Sequence, residues 1–172
     1  MRVAFNVVSL YAAWFGSVIA AANGQPILAL AASIFVVLVN VAFSHDRFAD
    51  IRLITYAALA GFALDSIVIN LGLARYASPG PYALVPPLWL VAMWMAFATS
   101  LNVSLAWLKN RLRLAALLGA LGGPLSYYAG ARLGGMEFTE PIVLSIVVLG
   151  LLWAVAFPTL LSLARRESRR IP

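Results

Sequence analysis

Six long apolar segments dominate this sequence and decide which folds are open to it. Each contains 17 to 24 residues, enough to cross a hydrocarbon core of about 30 Å at about 1.5 Å of helical rise per residue. The connections between the segments are short, which leaves no room for a separate soluble domain. We therefore predict one integral membrane domain over 1–172, all-α and multi-pass, with six transmembrane helices at about 3–22, 27–43, 53–73, 85–108, 114–133 and 142–164.

The composition excludes several classes of protein. Hydrophobic residues make up 63% and charged residues 10% of the chain, against roughly 45–50% and 25% in soluble domains. The net charge of +6 would suit nucleic acid only if the basic residues shared one folded face; here they lie between apolar segments, so we predict no nucleic-acid partner. With no cysteine and one histidine, His45, the chain lacks thiolate and multi-histidine metal sites. We predict no metal and no cofactor.

The positive charges predict the orientation in the membrane. Cytoplasmic connections are enriched in Lys and Arg, and the six segments place ten of the twelve basic residues on one side of the membrane. Only Arg75 and Arg132 fall on the other side. We therefore predict that both termini lie in the cytoplasm, on the side that carries Arg2, Arg47, Arg52, Lys109, Arg111, Arg113, Arg165, Arg166, Arg169 and Arg170.

Asp65 is the polar residue that most needs an explanation. It lies near the middle of the third segment, where a charged carboxylate costs at least about 2.5–3.5 kcal/mol. In one interpretation Asp65 binds a proton, a cation or the polar head of a ligand. In the other it is a neutral or paired residue that holds helices together. We expect neutral donors, namely Asn70, Tyr127, Tyr128 or the indole of Trp94, to hold it, and we expect it to be at least partly protonated.

Other polar and aromatic residues form two further groups by depth. Trp14, Trp94 and Trp153 lie at the level of Asp65, where an indole N–H needs an acceptor, although three large side chains could simply fill a core. Nearer the cytoplasm, interhelical amide bonds explain Asn6, Asn40, Thr99 and Asn102. An outer polar vestibule is expected from Asn70, Ser126, Tyr127, Tyr128 and Arg132. The candidate ligand-binding residues are Asp65, Asn70, Trp14, Trp94, Tyr127, Tyr128, Arg132 and Asn102.

The fifth segment is rich in glycine and is interrupted by Pro124. Gly119 with Gly123, and Gly130 with Gly134, have the spacing that lets helices approach closely in a membrane. Proline removes one helical hydrogen bond, which neighbouring helices must compensate. We predict a central, closely packed helix. The pattern also allows a homo-oligomer, in which a second copy of the chain packs against these four glycines.

Two connections carry smaller predictions. In the loop of residues 44–52, His45 and Asp46 form either a solvated turn, which we favour, or an acid–base pair. The outer loop of residues 75–82 contains two prolines and is a candidate lid.

Motifs for standard enzyme chemistry are absent. The sequence has no His-Glu-x-x-His, no Gly-x-Ser-x-Gly, no phosphate-binding glycine loop and no cluster of aspartates for Mg²⁺. Polar residues are sparse and scattered over depth. We favour a non-enzymatic protein that binds or translocates a lipid-like ligand, or that assists lipid-modifying enzymes. The alternatives are a substrate-binding subunit of a small-solute, vitamin-type transporter and an intramembrane lipid-modifying enzyme.

Three stretches resemble a bacterial inner-membrane family that is catalogued as a domain of unknown function. The resemblance rests on Tyr11-Ala-Ala-Trp14-Phe15, on Leu88 to Trp94 continued by Asn102 to Leu108, and on the glycine-rich run from Gly119 to Gly135. It implies a multi-pass protein of the inner membrane, encoded beside cyclopropane-fatty-acid-synthase-like and other lipid-modifying proteins, with membrane lipids as partners. It implies no catalytic residues.

A second resemblance is one of architecture. The substrate-binding subunits of energy-coupling-factor vitamin transporters also have six helices and cytoplasmic termini, and they dock to their partner through small residues of the first helix. Ala12, Gly16 and Ala20 have a suitable spacing. This resemblance implies transporter subunits as partners.

Overall fold

The computed structural model describes residues 2–139 and 141–168, which form six α-helices and one short two-stranded sheet. The predicted all-α class is confirmed, and the sheet is an addition that the sequence did not predict. The antiparallel strands are β1 (Ala74–Tyr76) and β2 (Met136–Phe138). The helices are α1 (Arg2–Ala22), α2 (Pro26–Ala42), α3 (Arg47–Asn70), α4 (Leu88–Ala98), α5 (Leu112–Arg132) and α6 (Ile142–Ser168).

The helix boundaries follow local chemistry. A turn with Gly24 at a positive φ of 70° joins α1 to α2, and Pro26 occupies the first turn of α2. Helix α3 begins six residues before the predicted segment because the Asp46 carboxylate caps it, accepting a 2.9 Å hydrogen bond from the backbone N–H of Ala49. This cap supports the solvated-turn interpretation of residues 44–52 over an acid–base pair.

Helix α4 occupies the centre of the bundle. It packs against α1, α2 and α3, while α5 and α6 form a hairpin whose second helix also packs on α3. The largest fully buried apolar side chains come from α3, from α6 and from the segment after α4. These side chains are Leu53, Val68, Leu101, Leu108, Leu149, Leu160 and Leu161.

The predicted fourth helix, 85–108, is wrong in its length. Helix α4 starts after Pro87, ends at Ala98, and is followed by turns and a 3₁₀ turn at Ala106–Leu108. The hydroxyls of Thr99 and Ser100 donate to the carbonyls three residues earlier, at 2.7 and 2.6 Å, and so compete with the helical ladder. Such irregular backbone is tolerated at membrane depth only when protein covers it, and Ser100 and Leu101 are fully buried.

The outer surface of the bundle is apolar. Among the described residues, three helices are long and apolar enough to cross a membrane, namely α1, α3 and α6 up to Glu167, with mean hydropathies of 1.7, 1.6 and 2.4. Helix α2 and the α4 region are shorter apolar helices. Many large apolar side chains are exposed on this surface, an arrangement that is rare in water-soluble monomers. They include Val8, Phe15, Ile27, Phe35, Leu38, Leu59, Leu121, Leu125, Val143, Leu151 and Val155. The chain is a membrane protein.

The two ends of the bundle differ in chemistry. We call "basic end" the one formed by the start of α1, residues 43–46, residues 99–111 and the end of α6. There Arg52 and Glu167 join α3 to α6, with Nη2 and Oε2 2.6 Å apart. Arg169 and Arg170 lie outside the described residues. We call "cap end" the opposite one, formed by residues 23–25, 71–87 and 133–139, which includes the small sheet.

Two glycines of α5, Gly119 and Gly123, allow close contact with α6 in the same chain. A Cβ at Gly119 would lie 2.5 Å from the Trp153 carbonyl oxygen, and one at Gly123 would lie 2.2 Å from the Trp153 ring. Helix α6 therefore covers this face, as expected for a closely packed helix. The prediction that the fifth helix is central is wrong, because α5 packs mainly on α6 while α4 occupies the centre. Gly134 has a φ of +83° and terminates α5 instead. A homo-oligomer through these positions stays a prediction.

Candidate functional site

Asp65 is fully buried and accepts three hydrogen bonds. Its Oδ1 accepts from the hydroxyls of Tyr76, at 3.0 Å, and Tyr127, at 2.5 Å, and its Oδ2 accepts from Nε1 of Trp94 at 2.8 Å. The donors come from β1, α5 and α4, so one carboxylate on α3 connects four parts of the chain. Burial, and then the Asp65 carboxylate, raise the pKa of the Tyr76 hydroxyl well above its usual range, which keeps this hydroxyl a donor.

A stacked pair of indoles extends from this cluster. The rings of Trp94 and Trp153 lie 4.4 Å apart and nearly parallel, at 18°. Trp94 reaches Asp65 because Gly61 on α3 leaves room for its ring, and Gly123 does the same for Trp153. Phe97 packs edge-on against both indoles. Among the described residues, Nε1 of Trp153 has no hydrogen-bond acceptor.

An open cleft of about 750 Å³ lies beside the stacked indoles. Helices α1 and α5 form its sides, α4 forms its floor, and Trp153 and Phe157 of α6 contribute at the back. It extends from Met136 at the cap end to Trp107 at the basic end. On α5 the lining extends from Leu118 to Gly130, and these twelve helical steps correspond to about 18 Å of helix. This length exceeds half of a hydrocarbon core of about 30 Å.

One hydrogen bond crosses the cleft. The Trp14 indole N–H on α1 donates to the Ser126 hydroxyl on α5 at 3.0 Å, and both residues line the cleft. Most other lining side chains are apolar or aromatic. Tyr76, Trp94 and Tyr127 present their rings to the cleft while their polar atoms bond Asp65 behind the wall. The cleft is therefore suited to an apolar occupant.

A second polar cluster lies at the basic end. Asn6 is buried, donates to Asn40 Oδ1 at 2.9 Å and to the Thr99 carbonyl at 3.2 Å, and accepts from Ser104 at 2.7 Å. These bonds satisfy the irregular segment after α4, as the interhelical-amide interpretation predicts. A neighbouring cavity of about 20 Å³ has room for about one water.

Asn102 belongs to a charged part of the same end. Its side chain donates to Asp50 at 2.5 Å and accepts from the Lys109 ammonium at 2.6 Å. Partial burial lowers the pKa of Lys109, and the Asp50 carboxylate opposes this shift. Asp50 and Asp65 are fifteen residues apart on α3, or about 22 Å. Asn102 therefore does not share a site with Asp65.

The structure brings together only some of the predicted site residues. Asp65, Trp94 and Tyr127 are in direct contact, and Trp14 faces the same cleft. Asn70 is exposed and ties the end of α3 to the Leu84 carbonyl at 2.9 Å. Tyr128 and Arg132 are exposed on α5 and do not line the cleft. The five residues of the expected vestibule therefore do not form one group.

A family model described as "Protein of unknown function (DUF2878)" matches residues 3–159. The chain belongs to the DUF2878 family. No curated protein and no solved structure matches it.

The stretches that carry the resemblance lie together in this DUF2878 protein. Tyr11, Trp14 and Phe15 from the first stretch, the tryptophans of the second and all glycines of the third except Gly134 line the cleft. The family match over residues 3–159 confirms the resemblance to a family of unknown function. The bacterial origin and the association with lipid-modifying proteins stay predictions.

Two contributors to the DUF2878 site were missed. Tyr76 follows the third segment and is a donor to Asp65 only because β1 pairs with β2 and turns its ring inward. Ser126 was assigned to a vestibule, and it is the acceptor for Trp14. The signal for Tyr76 was its position in a short outer loop directly after the aspartate helix.

The small residues of α1 do not form one exposed face. A Cβ at Gly16 would lie 3.3 Å from Ala32 on α2, and Ala20 is buried, whereas Ala12 is exposed. The stripe that suggested docking of a transporter subunit is thus partly covered by α2. Over residues 2–139 and 141–168, no group of three or more His, Cys, Asp or Glu could hold a metal ion.

Proposed function

We propose that this DUF2878 protein binds a lipid-like molecule in the cleft between α1 and α5, and that it acts in the inner membrane as a lipid-binding partner of lipid-modifying enzymes. One observation carries the proposal: an open cleft of about 750 Å³, within the range of about 300–1,000 Å³ of small-molecule sites. Its aromatic and aliphatic lining and its length of about 18 Å fit an acyl chain held beside one leaflet.

The Asp65 cluster supports the cleft from behind. Because Asp65 is fully buried and accepts three hydrogen bonds, its carboxylate orients Tyr76, Trp94 and Tyr127 and is not presented to a molecule in the cleft. A general base must reach its proton directly or through one water. The geometry therefore favours binding over an intramembrane enzyme that uses Asp65 as a base.

The proposed topology has six membrane spans with both termini in the cytoplasm, so that the basic end faces the cytoplasm. Reporter domains fused after residues 24, 78 and 138 should report the outside, and those after residues 48, 111 and 170 the inside. An inside signal at residue 78 would overturn this topology.

A cleft-filling variant tests ligand binding. Gly122 lines the cleft, and a Cβ there would have nothing within 4 Å, so we expect Gly122→Phe to place its ring in the cleft. The protein would be reconstituted with phospholipids that carry a photoactivatable acyl chain. We expect labelling of the peptide containing Leu118 to fall about tenfold, the effect of losing about 1.4 kcal/mol of contact.

The matched control is Leu121→Phe, which adds a ring to the neighbouring exposed position outside the cleft lining. It should label like the parent. If the parent's cleft peptides label no more than the exposed α6 face around Leu151 and Val155, the cleft holds only passing bilayer lipid and the proposal fails.

A further inference from the structure

The basic end of the cleft combines an aromatic ring with a cation. Trp107 lines the cleft and is 53% exposed. The guanidinium carbon of Arg111 lies 5.8 Å from the centre of its ring, within the usual range of cation–π contacts. The Arg111 charge is therefore held beside the point where the cleft opens toward the basic end.

This charge has no anionic partner in the described part of the chain. The carboxylates that the structure places at this end are already engaged: Asp46 caps α3, Asp50 bonds Ser44 and Asn102, and Glu167 pairs with Arg52. Neither Arg111 nor Arg113 forms an ion pair with a residue of 2–139 or 141–168.

The position of Arg111 is also electrostatically unfavourable in this chain alone. The N-terminus of a helix carries a partial positive charge and favours anions. Helix α3 follows this rule, with Asp46 as its cap and Asp50 in its first turn. Helix α5 instead has Arg111 at the N-cap position, forms no side-chain cap hydrogen bond there, and has no acidic residue in its first turn. An anion at this end would relieve the unfavourable arrangement.

From this charge complementarity we propose that the occupant of the cleft is an anionic phospholipid, with its acyl chain between α1 and α5 and its phosphate on Arg111. The inference rests on the proposed lipid-binding function and specifies its ligand. Arginine suits phosphate because its planar fork donates two parallel hydrogen bonds, and the cation–π contact with Trp107 holds this fork beside the cleft.

The test compares an anionic with a zwitterionic lipid. The full chain is reconstituted in nanodiscs that contain equal amounts of phosphatidylglycerol and phosphatidylcholine, one of the two carrying a photoactivatable acyl chain in each experiment. We expect cleft peptides to label about fivefold more with phosphatidylglycerol, the contribution of one arginine near a membrane surface. Arg111→Gln should bring the ratio close to one while labelling with phosphatidylcholine persists.

The matched control is Arg113→Gln, which removes the same charge from the same turn of α5 and should keep the preference. Equal labelling by both lipids in the parent, or equal loss of preference in both variants, would overturn the anionic assignment while leaving the cleft a lipid site. A parent whose cleft peptides label with neither lipid would overturn the proposed function itself.

Discussion

Asp65→Leu should unfold at markedly lower denaturant than the parent. The substitution strands three buried donors, the hydroxyls of Tyr76 and Tyr127 and the indole of Trp94. A buried donor without an acceptor costs about 1–3 kcal/mol, although hydrogen bonds between membrane helices average only about 0.6 kcal/mol. We expect a loss of about 2–3 kcal/mol, measured by equilibrium unfolding in mixed micelles of mild detergent and dodecyl sulfate.

Asp65→Asn is the matched control for this loss. Its amide oxygen can accept from Trp94, and its NH₂ group can donate to the two tyrosine oxygens, so the cluster keeps most of its bonds. We expect folding close to that of the parent. Because Trp94 and Tyr127 also line the cleft, Asp65→Leu should in addition lower lipid labelling. A leucine variant as stable as the parent would show that Asp65 does not hold the helices together.

The sequence was sufficient to predict the positions of most helices, because these depend on the length and composition of the apolar segments. Four of the six helices lie within a few residues of their predicted segments because an apolar run of membrane length has few alternatives to a helix. Helix α3 starts six residues early. The predicted length of the fourth helix was wrong for a local reason. Its hydrophobicity continues through residue 108, while the hydroxyls of Thr99 and Ser100 and the side-chain amide of Asn6 offer the backbone other partners. Hydropathy does not record that competition.

The site was predictable in part. The cost of a carboxylate at mid-depth required donors for Asp65, and two of the four that we expected, Trp94 and Tyr127, are donors. Depth does not reveal which way a helix faces. Tyr128 is adjacent to Tyr127 and points about 100° away on the same helix, while Tyr76 enters from a strand outside every apolar segment. The cleft itself arises from the spacing between α1 and α5, which no single segment encodes.

Gly61→Ala should be among the most damaging single substitutions in the chain, although it adds only one methyl group. Its Cβ would lie 2.1 Å from Cγ and 2.2 Å from Cδ1 of the Trp94 ring. The ring cannot simply move aside, because Nε1 bonds Asp65 and one face stacks on Trp153. Overpacking costs about 1–3 kcal/mol, and the lost hydrogen bond adds about 0.5–1.5 kcal/mol.

A double-mutant cycle distinguishes this clash from a general intolerance of α3. Trp94→Ala removes the ring that the new methyl group would meet, so Gly61→Ala should cost little in that background even though Trp94→Ala is itself destabilising. Gly122→Ala, where a Cβ has nothing within 4 Å, should be tolerated as a control for glycine replacement within a helix. If Gly61→Ala lowers the free energy of unfolding equally in both backgrounds, its effect does not arise from the clash with Trp94. Because Trp94 connects the Asp65 cluster to the cleft wall, Gly61→Ala in the otherwise unchanged protein should also reduce labelling of the cleft by the photoactivatable lipid.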